Sequence, residues 1–171
     1  MDSSSQRLRY TELAPQGIAA LRALEHYANT STHLPPILLE LVRLRASLLN
    51  GCDYCIAMHT HELQKHNETP NRIAQVADWR TSTAYTHREQ AALAWTEIIT
   101  NIQDGHAPQA AFDEARRHFT DTELVNLTLA IASINAWNRL AIAFRAQHTP
   151  KPSSGEKDPI ADDGGKVAVD E

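Results

Sequence analysis

Helix-initiation signals recur along this chain and constrain its fold more than any other feature. Two capping boxes, Thr86-x-x-Glu89 and Thr120-x-x-Glu123, each stand before a run of apolar residues at helical spacing. Prolines open three further segments, at Pro15, Pro35-Pro36 and Thr69-Pro70, and the last of these would be a short helix to Trp79. No stretch shows the sustained apolar/polar alternation of a half-buried strand. The sequence therefore predicts an all-α protein.

The spacing of these signals predicts a single-domain bundle of about six to seven helices. Asn50-Gly51 reads as a helix stop, because glycine readily takes the left-handed conformation of a C-cap. The next helix would run from near Cys52 to about His66, and the last from Thr120 to Phe144. Residues 1 to about 10 read as a loose polar lead. The segment 149–171 is rich in Pro, Ser, Gly and charged residues, so we expect a disordered tail there.

Length and charge exclude several classes of partner. A chain of 171 residues is long enough to bury a core without disulfide staples. Its net charge is −5 with no basic block, so nucleic acid and anionic membranes are poor partners. We find neither a signal-peptide core nor the roughly 18 consecutive apolar residues that indicate a membrane span. The expected location is the cytoplasm, where a close cysteine pair is kept reduced or cycles.

The two cysteines of the chain stand together, as Cys52-x-x-Cys55, with His59 following. On one helix these three residues occupy i, i+3 and i+7, which lie on one face. Cys52 would occupy the first turn, where free N–H groups and the helix dipole favour a thiolate. His59 is placed to take the proton of Cys55. Glu40, twelve residues before Cys52, could orient His59 if the two helices pack as a hairpin.

The same residues admit two other interpretations. Cys52, Cys55 and His59, with Glu40 or His61, could supply four ligands to zinc, although zinc motifs usually draw on two separated knuckles and only one is present. The chain could also be a structural or interaction protein that uses a slow cysteine pair for redox sensing alone.

The combination of Glu40 with Cys52-x-x-Cys55-x-x-x-His59 resembles the motif of the alkylhydroperoxidase AhpD-like branch of the carboxymuconolactone decarboxylase family. The resemblance covers about residues 7–147. It includes three further segments: Leu41-Val42-x-Leu44-Arg45-x-Ser47-x-x-Asn50-Gly51, Ala92-Leu93-Ala94-Trp95 and Ile134-Asn135-Ala136-Trp137-Asn138-Arg139. The decarboxylase branch lacks the cysteine pair, so the pair argues against lactone decarboxylation.

The resemblance implies an all-helical domain that forms homo-oligomers, trimers or hexamers, and acts as a peroxidase or disulfide reductase. By that analogy Cys55 attacks the peroxide and becomes a sulfenic acid, and Cys52 resolves it into a disulfide that an external thiol or dithiol reduces. Glu40 and His59 would form the proton relay that deprotonates Cys55. The resemblance implies neither a cofactor nor a metal.

Overall fold

The computed structural model describes residues 5–147, and within that range the fold is all-helical, as predicted. A 3₁₀ turn at Trp79–Thr81 lies between the fifth and sixth helices. The eight α-helices of the described range are α1 (Tyr10–Leu13), α2 (Pro15–Thr30), α3 (Pro36–Asn50), α4 (Asp53–Lys65), α5 (Pro70–Ala74), α6 (His87–Thr100), α7 (Gln109–Arg116) and α8 (Asp121–Phe144). The predicted tail at 149–171 lies outside the described residues.

Local sequence signals determine several helix boundaries. The side chains of Thr86 and Thr120 accept hydrogen bonds from the backbone N–H groups of Glu89 and Glu123, and each glutamate carboxylate bonds back to the threonine N–H. Gly51 ends α3 with a φ of 67°, in the left-handed region. Both capping boxes and the glycine stop are therefore confirmed as predicted.

Two details of the elements differ from the prediction. The described range has eight α-helices where about six to seven were predicted, in part because the short α1 forms between the predicted polar lead and the helix at Pro15. Tyr10 is buried there and its ring packs against Phe144, 5.6 Å between ring centroids. The helix expected from Pro70 to Trp79 ends at Ala74 instead. The chain turns so that the Trp79 indole N–H donates to Glu97 (2.8 Å), a tertiary contact that local propensity does not encode.

Helix α3 is the centre of the fold. It packs against α4, α6 and α8, while α2 packs on α8 and α7 covers α6 and α8. Most of its side chains are buried as a result, including the charged residues Glu40 and Arg43. A buried charge is costly unless it is paired and hydrogen-bonded. Because they are buried, Glu40 and Arg43 need hydrogen-bonded or oppositely charged partners inside the protein.

Helix α8 is the one described helix long and apolar enough to cross a membrane by length and composition. Half of its most apolar stretch is buried inside the protein, and the helix contacts α2, α3, α4, α6 and α7. The core helix of a globular protein can be equally long and apolar, so we interpret α8 as a core helix of this fold.

Candidate redox site at the start of α4

A tight reversal between α3 and α4 places the two cysteines. Gly51 takes the left-handed conformation and the N–H of Cys52 bonds to the carbonyl of Ser47 (3.0 Å). Cys52 is the N-cap of α4, and its sulfur accepts a hydrogen bond from the N–H of Cys55 (3.4 Å). The sequence predicted Cys52 one residue further on, in the first turn of the helix. The cysteine pair therefore lies at the positive end of the α4 dipole.

Cys52 and Cys55 are joined by a disulfide, with 5.3 Å between their Cα atoms. Their exposed fractions are only 2% and 1%, because Ala141 of α8 packs on the pair together with Tyr54 and Ala146. Among residues 5–147, no group of three or more His, Cys, Asp or Glu side chains is placed to hold a metal ion. The bonded pair is placed for exchange between a dithiol and a disulfide.

The α3–α4 hairpin brings Glu40 and His59 into contact, as the sequence suggested for two packed helices. His59 Nδ1 lies 2.8 Å from Glu40 Oε2, and both residues are buried. Nδ1 carries the hydrogen of this bond because an ionised carboxylate can only accept. The neutral ring then has its lone pair on Nε2, which is buried and has no hydrogen-bond partner among the described residues. His59 is one turn after Cys55, on the same face of α4.

Glu40 is ionised at neutral pH in this environment. Burial alone would raise the pKa of its carboxyl group, but the hydrogen bonds from His59 and Arg43 and the positive charge of Arg43 outweigh burial and lower the pKa to about 2. A hydrogen bond to a carboxylate and a nearby opposite charge both favour its charged form. Glu40 therefore provides a fixed anion beside His59.

Comparison with known proteins shows the family. The family model described as the carboxymuconolactone decarboxylase family matches residues 15–97. YdfG of Bacillus subtilis, an uncharacterized protein, is 37% identical over 140 residues, which are 82% of this chain and 95% of YdfG. The chain belongs to the carboxymuconolactone decarboxylase family. The matched residues include Glu40, Cys52, Cys55 and His59.

Two solved structures share the fold of this family member, and the first of them places it in the AhpD-like group. ATU0492 of Agrobacterium tumefaciens, of unknown function and a candidate antioxidant defence protein AhpD, superimposes with a TM-score of 0.82 at 39% identity, over 86% of this chain and all of that one. A peroxidase-related protein with an alkylhydroperoxidase AhpD core, from Ralstonia eutropha JMP134, gives a TM-score of 0.72 at 21% identity, over 80% of this chain and 73% of that one. The second likeness shows the fold alone.

Sequence reasoning missed one charged residue of this family member's site. Arg43 is buried, and its Nη1 donates to Glu40 Oε1. Its Nη2 donates to Asn29 Oδ1 on α2, at 2.6 Å. The i, i+3 spacing of Glu40 and Arg43 was a signal for this contact, since such residues are neighbours on a helix surface. The sequence could not show that this pair faces the interior.

An amide network holds the cysteine turn against α8. Asn50 Nδ2 donates to the side-chain oxygens of Asn135 (2.9 Å) and Asn138 (2.8 Å). Asn138, fully buried, donates in turn to Ser47 Oγ (3.1 Å). Ser47 also accepts the backbone bond from Cys52 described above. These contacts fix the turn that carries the first cysteine.

Proposed function

We propose that this chain is a thiol-dependent peroxidase or disulfide reductase that cycles between a Cys52/Cys55 dithiol and the Cys52–Cys55 disulfide. The observation that carries the proposal is the bonded cysteine pair at the N-terminus of α4, one turn from a histidine whose Nε2 has no hydrogen-bond partner among the described residues. The likeness to ATU0492, a candidate antioxidant defence protein AhpD, supports the peroxidase form.

The peroxidase half-reaction uses the two sulfurs in turn. The Cys55 thiolate attacks the terminal peroxide oxygen, the O–O bond breaks, and Cys55 becomes a sulfenic acid while the alcohol leaves with a proton. The Cys52 thiol then attacks the Cys55 sulfur, which forms the disulfide and releases water. An external thiol or dithiol donates two electrons and two protons to restore both thiols.

His59 and Glu40 divide the proton handling in this proposal. His59 takes the Cys55 proton on Nε2 and returns it to the departing alkoxide. Glu40 accepts the Nδ1–H bond, which orients the ring and stabilises the imidazolium that forms. The helix N-terminus adds stabilisation of the thiolate.

The proposal includes two partners beyond the hydroperoxide. One is a thiol or dithiol reductant, either a small molecule or one carried on another protein. The other is the chain itself, in a trimer or hexamer.

Cysteine variants test the proposal directly, because the chain has no other cysteine. Reduced wild type mixed with an alkyl hydroperoxide should consume it, and the mass of the protein should fall by two hydrogen atoms as the disulfide forms. Cys52→Ser should stop at a sulfenic acid that dimedone traps, and Cys55→Ser should consume no peroxide. Wild type that keeps both thiols free after excess hydroperoxide contradicts the proposal.

The burial of both sulfurs favours one alternative, a redox-responsive structural protein without fast turnover. A peroxide reaches a sulfur only if the covering residues move, and thiol oxidation requires access to the thiolate. Steady-state turnover distinguishes the two functions. A peroxidase regenerates with excess dithiothreitol and consumes many equivalents of hydroperoxide, whereas a sensor consumes about one.

A further inference from the structure

We infer that Arg43 is a positioning residue of the redox site, which fixes the Glu40 carboxylate, balances its charge, and thereby keeps His59 Nε2 free to accept the Cys55 proton. The inference rests on the proposed function in that Cys55 is taken as the reactive thiol. It assigns a role to Arg43 and Asn29, which form a chain of contacts from α2 through Glu40 to the histidine.

The geometry occupies both oxygens of the Glu40 carboxylate. Oε1 accepts from Arg43 Nη1 and Oε2 accepts from His59 Nδ1. Nη2 of Arg43 donates to Asn29. The guanidinium therefore cannot move away from Glu40 without losing two hydrogen bonds. A carboxylate fixed between two donors is a poor terminal acceptor for a proton. The structure therefore divides the predicted Glu40/His59 relay into an orienting anion and a base.

Arg43 and His59 are the titratable groups whose side chains contact the Glu40 carboxylate. On α4, Asp53 is exposed and Glu62 pairs with Lys65. The pKa of Glu40 is not changed by Arg22, Glu25 or His26 of α2. The charged side chains of α6 and α8 have partners other than Glu40 or are exposed. Glu97 pairs with Arg45 and Arg80, Glu89 with Arg72, Glu123 with Arg88, and Asp121 with Arg116; Arg139 donates to Asn135, and His87 is exposed.

Removing the Arg43 charge should make every acid in this cluster harder to ionise. Without the guanidinium, Glu40 is an unbalanced anion in a buried site, and it favours a protonated His59 and an undissociated Cys55. His59 in the imidazolium form cannot accept the thiol proton. We therefore expect the Cys55 thiolate to form at higher pH. A purely structural role for Arg43 would lower stability without changing the pH at which the thiol ionises.

The test measures iodoacetamide alkylation against pH in a Cys52→Ser background, where Cys55 is the single thiol. Arg43→Gln should move the alkylation midpoint to higher pH by about one unit, whereas Arg43→Lys, which keeps the charge, should leave the midpoint close to that of the parent. Arg45→Gln is the matched control, two residues along α3 and paired with Glu97, and should leave the midpoint in place. An unmoved midpoint in Arg43→Gln overturns the inference.

A second measurement needs no Arg43 variant. Nitrogen-15 NMR of oxidised wild type at neutral pH should show His59 protonated on Nδ1 and unprotonated on Nε2. An imidazolium, or a hydrogen on Nε2, overturns the inference. Neither measurement uses peroxide, so the inference can stand in a chain that turns over no peroxide, and a working peroxidase can lack the Arg43 effect.

Discussion

At the scale of single residues, the site depends on one buried carboxylate. Glu40 is 7% exposed, and burying an isolated carboxylate costs several kcal/mol even after relaxation. Arg43 and His59 offset that cost with two hydrogen bonds and the charge of the guanidinium. Removing one partner of such a cluster leaves an uncompensated buried group, so changes at these three positions affect stability and chemistry together.

Glu40→Gln should flatten the acid limb of the stability curve. The pKa of Glu40 is about 2 in the folded chain and about 4.5 without the fold, so the unfolded state binds more protons between those values. The contribution of Glu40 is fully present above about pH 4.5 and is lost as the pH falls through about 2. At 1.36 kcal/mol per unit it is on the order of 3 kcal/mol.

Urea unfolding of oxidised wild type and of Glu40→Gln, from pH 2 to pH 6, gives the free energy of unfolding of each protein as a function of pH. Other carboxylates with a lowered pKa, such as Glu89, Glu97 and Glu123, act in both proteins, so the difference between the two curves isolates Glu40. Two parallel curves would show that the pKa of Glu40 is not depressed.

At the scale of elements, the α3–α4 turn connects the fold to the chemistry. α3 ends at a glycine in the left-handed conformation and α4 begins one residue later with a cysteine as its cap. The amides of Asn50 and Asn138 fix this turn against α8. The position of the first sulfur therefore depends on a backbone conformation and on a third helix.

Two glycine substitutions separate backbone strain from packing. A Cβ at Gly51 or at Gly17 meets no atom within 4 Å. Gly51→Ala should cost about 1 to 2 kcal/mol because alanine is strained at a φ of 67°. Gly17→Ala, within α2, should stabilise the protein by about 0.5 to 1 kcal/mol because alanine favours a helix. Denaturant unfolding measures both, and equal effects of one sign would refute the argument.

At the scale of the whole molecule, α8 leaves two large apolar side chains exposed, one near each end of the helix. Val125 is 60% exposed and Ile142 is 44% exposed. Burying an exposed apolar side chain against another copy of the chain would be favourable. We therefore propose that copies of the chain assemble, and that Val125 lies in the contact.

Sedimentation should therefore give a mass that is a multiple of 19.0 kDa. Val125→Lys should weaken the assembly by about tenfold or more, since burying a valine contributes more than 1.4 kcal/mol. Thr122→Lys, an exposed polar position on the first turn of α8, is the matched control. A wild-type chain that sediments as a monomer contradicts the prediction.

Whether the sequence predicted a contact of the site depends on how far apart the two residues lie along the chain. The Cys52, Cys55 and His59 register was readable because helical neighbours lie three and four residues apart. The Glu40–His59 contact was readable only as a condition, since it needs two helices to pack. The roles of Asn29 and Asn138 were not readable, because each acts from a helix distant in sequence.

By itself, the sequence determined the helical class, the capping boxes, the glycine stop and the alignment of cysteines with histidine on one face, because all of these depend on contacts within a few residues. Only the tertiary structure decided that Tyr10 is buried, that Arg43 faces inward to Glu40, and that α8 covers both sulfurs. Those outcomes depend on which surfaces lose contact with water when helices pack, and no local pattern specifies that.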